Sequence, residues 1–124
     1  MTDSALLLQT TERLLTQVVP GTRGLWPRTA ALILRAALEE ELDEFWLRTE
    51  PSVAAANTRA QLLLLRQYAD AEVADRAASA WHGLSRACHH HAYELAPEAQ
   101  ELRSWLNAVT QVKLRLSPDR FARP

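Results

Sequence analysis

Proline and glycine fall at intervals along this 124-residue chain and almost never inside a run of helical periodicity, so they divide it into segments before any other feature is weighed. The first segment, residues 3–19, carries Leu7, Leu8, Leu14, Leu15 and Val18 at helical spacing and stops at Pro20 and Gly21. Pro27 then stands where a first-turn proline belongs. Leu34, Leu38, Leu42 and Phe45 recur every three or four residues behind it, which predicts a second helix ending before Pro51. Ser52 is placed to cap a third helix that runs through Val53, Ala56, Ala60, Leu63 and Leu64 to Tyr68. With Leu62, Leu63, Leu64 and Leu65 in a row, that helix is apolar on almost every side and is expected at the centre.

A fourth helix is predicted over residues 71–95, with Val73, Ala77, Ala80, Trp81, Leu84, Cys88, Ala92 and Leu95 as its inward stripe. Pro97 closes it and sits in the first turn of a fifth, whose Leu102, Trp105, Leu106, Val109 and Val112 share one face. No segment alternates apolar and polar residues at period two, and no internal repeat occurs. The expectation is an all-α, single-domain antiparallel bundle of about five helices over residues 1–124, with residues 1–2 and 117–124 as frayed termini.

At 48% apolar content the chain buries a core without disulfides. Its 14 basic and 15 acidic residues nearly cancel, so any nucleic-acid site must be local rather than a property of the whole surface. The lone Cys88 has no internal disulfide partner, and Met1, Thr2 and Asp3 do not begin a signal peptide, so a reducing cytoplasm is the expected setting. The longest apolar runs fall far short of the roughly 20 residues a bilayer demands, and no membrane partner is expected. The acidic run Glu39, Glu40, Glu41, Asp43 and Glu44 reads as a solvated outer face of the second helix, because successive helical residues diverge by about 100°.

All four histidines, His82, His89, His90 and His91, share the fourth predicted helix with Arg86 and Cys88. On a helix the last three fan around about 200° and cannot converge on one ion, and neither His-Glu-x-x-His nor Glu-x-x-His occurs, so no metal or cofactor is expected. Cys88 falls on the buried stripe, where a small apolar role outweighs a nucleophilic one.

Arg86 followed by four residues and then His91 resembles the Arg-x4–6-His motif of HEPN proteins, small all-helical domains many of which are metal-independent ribonucleases and toxins. The resemblance implies a helical bundle with the motif on a helix, and two copies facing each other across a homodimer to form one composite site. It implies RNA as partner, Arg86 as the phosphate clamp and His91 as the base or acid, with His82, His89 and His90 binding substrate. Such chemistry suits these side chains, because histidine titrates near neutrality and arginine forks onto phosphate oxygens. Catalytic members usually carry a polar residue after the arginine; here Ala87 stands there, and members of the family that only bind RNA or dimerise are the corresponding alternative. The chain as a whole, residues 81–97 in particular, is also similar to a group of short actinobacterial helical proteins, a likeness that covers the second to fifth predicted helices and implies a stand-alone domain and no particular activity.

Two plainer readings stand beside this one. His82, Arg86, His89 and Tyr93 also suit the polar side of an amphipathic helix, and Trp26, Trp46, Trp81 and Trp105 suit core or interface packing, with Trp81 and Trp105 candidates for a dimer surface. A non-enzymatic helical interaction module, gripping a protein partner through an apolar face, is the competing function.

Overall fold

The computed structural model describes residues 3–16, 26–89 and 98–118. All regular structure among them is helical: α1 Asp3–Thr16, α2 Trp26–Thr49, α3 Pro51–Ala54, α4 Thr58–Leu65, α5 Ala71–Cys88 and α6 Ala99–Leu116. None of these helices is long and apolar enough to cross a membrane.

The organising element is α2, which packs against each of the other five helices. Ala30, Ala31, Leu34, Ala37, Leu38, Leu42, Phe45 and Trp46 are all buried along it. The apolar run of α4 was expected at the centre, but α4 is a peripheral helix of eight residues, and Leu63 points outward at 74% exposure. Hydrophobic density alone misplaced it, because an eight-residue helix has too little length to face several neighbours, whereas the 24 residues of α2 do.

Contacts between side chains fix the helix directions. Ser4 meets Lys113 and Glu12 meets Arg103, so α1 is antiparallel to α6. Arg28 reaches the carbonyls of Ala87 and His89 while Glu39 accepts from Trp81, so α5 is antiparallel to α2. Glu41 pairs with Lys113 and Arg48 with the Leu116 carbonyl, so α2 and α6 run the same way.

The acidic run of α2 corrects the reading of one solvated face: Asp43 is exposed and Glu39, Glu40 and Glu44 are half-buried, but Glu41 is buried. Glu41 is buried and accepts from Lys113 Nζ at 2.8 Å and from the Ser4 hydroxyl, and Lys113 also donates to Ser4 Oγ at 2.9 Å, which joins α1, α2 and α6 at one point. Glu39 accepts from Trp81 Nε1 at 3.0 Å, and Asp43 accepts from Gln61 Nε2 at 2.9 Å. Residues 39, 41 and 43 therefore reach three different neighbours by the very divergence of successive helical positions that argued against a shared site.

The expected third helix is broken in two, and Ser52 caps neither piece. Glu50 leaves helical geometry ahead of Pro51, which opens α3, and Asn57 caps α4 by accepting from the Ala60 amide at 2.9 Å. Gln61 Nε2 donates to the carbonyls of Ala54 and Ala56, satisfying groups that the break exposes. Of the C-terminal expectations, α6 begins at Ala99 with Glu98 as its cap and Glu101 completing a capping box; Pro97 lies outside the described residues. The predicted continuation of α1 to Val19 also lies outside them.

Where α5 crosses α6, Gly83 is buried beneath Trp105, and a Cβ built there would stand 2.8 Å from Trp105 Cζ2. A helical glycine costs about 1 kcal/mol against alanine, so its presence is explained by this approach rather than by propensity. Gly83→Ala is therefore expected to lower stability by about 1–3 kcal/mol in urea unfolding despite the better helix former. The double variant Gly83→Ala, Trp105→Leu should recover part of that loss; a stabilised single variant would contradict the packing.

Candidate functional site

Along α5, Asp75, Ser79, His82 and Arg86 recur at three- and four-residue steps and are all exposed, forming the stripe opposite the buried Val73, Ala77, Ala80 and Leu84. Asp75 is committed to Arg66. His82 lies against the Trp81 ring, edge to face at a centroid distance of 5.3 Å, and the Trp81 indole is itself tied to Glu39. The imidazole thus rests on an aromatic platform anchored to α2.

Arg86 occupies the last turn of α5, exposed and without hydrogen bond or ion pair among the described residues. Most other arginines among the described residues are engaged: Arg48, Arg66, Arg76, Arg103 and Arg115 each hold a carbonyl or a carboxylate. A cation at a helix C-terminus complements the helix dipole, which accounts for the position of Arg86 but leaves its five donors to solvent.

The helix ends sooner than its periodicity predicts. His89 adopts φ −76° and ψ 132°, an extended conformation, so α5 stops at Cys88 and not at Leu95. Arg28 Nη1 donates to the Ala87 carbonyl at 3.1 Å and to the His89 carbonyl, taking up acceptors that a continuing helix would have used. This tertiary cap is invisible to periodicity. The structure places His82 and Arg86 one turn apart on one face and His89 just past the helix end, exposed; His90, His91 and Tyr93 lie outside the described residues.

Sequence reasoning missed the contribution of α2. Arg28, Arg35 and Glu39 sit at steps of seven and four residues and form one stripe along α2, facing the α5 stripe of Trp81, Ser85 and Cys88. The detectable signal was polar residues interrupting an otherwise apolar helix. Cys88 is half-buried, and burial pushes its thiol pKa above the ordinary 9.0; Arg35 opposes this, Glu39 adds to it, and Arg28 opposes it more weakly. A thiol held neutral is a poor nucleophile, in keeping with a packing role. Among the described residues no group of three or more His, Cys, Asp or Glu side chains is arranged to hold a metal.

On the far side of the molecule, Ala5 and Leu8 of α1 and Leu106, Thr110 and Leu114 of α6 line an open cleft of about 370 Å³, with Leu114 56% exposed at its edge. Trp81 and Trp105, the expected dimer-surface candidates, are both half-buried against the core.

No family model, no curated protein and no solved structure matches this chain.

The ionisation of Cys88 provides a check on this geometry. Its alkylation by iodoacetamide, followed by intact mass as the pH rises, is expected to have its midpoint above that of an unfolded peptide of the same sequence, because the neutral thiol is favoured in the fold. A midpoint below the peptide value would mean an activated thiolate and overturn the packing role.

Proposed function

We propose that the chain is an HEPN-like, RNA-directed protein whose nucleic-acid surface is the exposed face of α5, with His82 and Arg86 on the helix and His89 at its end. The observation that carries this is Arg86: an exposed guanidinium with no partner among the described residues, one turn from a histidine on an anchored aromatic ring. A planar fork of donors matches the oxygens of a phosphodiester, and histidine changes charge near neutral pH, so the pair has the chemistry to grip an RNA backbone.

In the fuller form of the proposal the protein is a metal-independent ribonuclease or toxin component acting as a homodimer in the cytoplasm. Arg86 then holds the scissile phosphate, and His91 takes the 2′-hydroxyl proton or supplies one to the leaving oxygen. His90 joins His82 and His89 along the strand. Two copies of the motif supply both an acid and a base, which one His91 in a single turnover step does not.

A second reading, a helical protein-interaction module, is favoured by a different observation: the open cleft between α1 and α6 with exposed Leu114 beside it.

Incubation of the protein with total cellular RNA in the presence of EDTA separates the two. Cleavage by the wild type, lost at least 100-fold in Arg86→Ala and His91→Ala variants with unchanged circular dichroism, is the expected result, on the scale of about 10²–10⁴ for removal of an acid–base group. Binding without cleavage that still needs Arg86 leaves the RNA-directed reading and removes the enzymatic one. Absence of both moves the function to the cleft.

A further inference from the structure

We propose that the seam between α2 and α5 holds a second phosphate-binding position, built from the guanidinium of Arg35 with the hydroxyl of Ser85, which extends the surface of Arg86 sideways onto α2. This rests on the RNA-directed reading above for the identity of the ligand, but on separate residues.

Two contacts bracket the position. At one end Arg28 donates to the carbonyls of Ala87 and His89; at the other Trp81 donates to Glu39. Arg35 lies between residues 28 and 39 on the same stripe of α2, and Ser85 lies between residues 81 and 88 on the facing stripe of α5, so the two helices bring them to the same stretch of the seam. Cys88 is part of that stretch, and among charged groups Arg35 acts on its thiol most strongly.

Both groups have unmet hydrogen-bonding capacity. Arg35 is half-buried and makes no hydrogen bond or ion pair among the described residues. The Glu39 carboxylate one turn away turns its Oε2 to Trp81 at 3.0 Å and makes no ion pair with Arg35. The Ser85 oxygen is buried without a hydrogen-bond partner. A partly desolvated cation held in no ion pair and a buried hydroxyl without a partner each carry a cost, and both are donors. One oxyanion satisfies them together: the guanidinium donates to it and the serine O–H donates to it. On a surface that grips RNA through Arg86, the oxyanion is the phosphodiester of a neighbouring nucleotide. Inorganic phosphate has the same chemistry, and the experiment separates the two sources.

Cys88 is the only cysteine of the chain, so its alkylation by the uncharged reagent iodoacetamide, read by intact mass, reports occupancy of the seam. The probes are a single-stranded RNA oligonucleotide and inorganic phosphate alone, with wild type, Arg35→Gln, Arg35→Lys and Arg86→Gln, each checked by circular dichroism. The expected result is that RNA slows alkylation of the wild type several-fold. Arg35→Gln should abolish the slowing, weaken RNA about tenfold or more, and flatten the salt dependence of log K by about 0.7, the signature of one lost phosphate contact on a single strand. Arg35→Lys should restore part of each, and Arg86→Gln should weaken binding while saturating RNA still shields Cys88.

RNA that binds through Arg86 with alkylation and salt slope indifferent to Arg35→Gln would overturn the seam site and leave the RNA reading standing. If the wild type binds no RNA, the RNA reading falls and the phosphate arm decides. Shielding by phosphate that depends on Arg35 retains the oxyanion site with a small-molecule source, and no shielding by either probe overturns it.

Discussion

The structure hangs on the way α2 distributes its carboxylates. A 24-residue helix that touches every other helix must hold each neighbour at a defined register, and apolar contacts alone, being non-directional, do this poorly. Glu41 holds Lys113 and Ser4, Glu39 holds Trp81, and Asp43 holds Gln61, so α6, α1, α5 and α4 each receive a directional tie from five consecutive positions of one helix. A largely buried ion pair such as Glu41 with Lys113 is weak evidence of net stability, since desolvation offsets most of its attraction. Its worth here is positional, because the hydroxyl of Ser4 completes it and fixes α1, whose other buried polar side chain, Thr11, is satisfied within its own helix.

Much of this was legible in the sequence. Leu34, Leu38, Leu42 and Phe45 marked the buried face of α2, and Leu102, Leu106, Val109 and Val112 that of α6, because a 3.6-residue period survives in any long amphipathic helix. What was not legible is what tertiary contacts impose. The break at Asn57 depends on a side-chain cap together with Gln61 reaching back to Ala54 and Ala56, and the end of α5 depends on Arg28, some sixty residues earlier, binding its last carbonyls. Neither alters periodicity. The acidic run was misjudged for a related reason: composition makes clustered carboxylates look solvated, whereas their partners come from four separate helices.

The candidate site divides the same way. The exposure of His82 and Arg86 follows from helical phase, whereas His89, read onto the same polar side, is exposed in extended backbone past the helix end. Sequence gave no sign that Trp81 would carry His82 on one side and bind α2 on the other, nor that Arg35 would face Cys88, since both depend on the antiparallel crossing of α2 and α5. The same crossing sets an aromatic support and a seam of polar side chains beside the exposed His82 and Arg86 of α5.

The most direct test of that surface is an NMR titration of the tryptophan indole N–H signals with a single-stranded RNA oligonucleotide. Trp81, against His82 and tied to Glu39, is expected to shift in a saturable manner, while Trp46, fully buried in the core, stays fixed. A Trp81 signal unmoved at RNA concentrations far above the protein's would contradict the assignment of the α5 face as the functional surface.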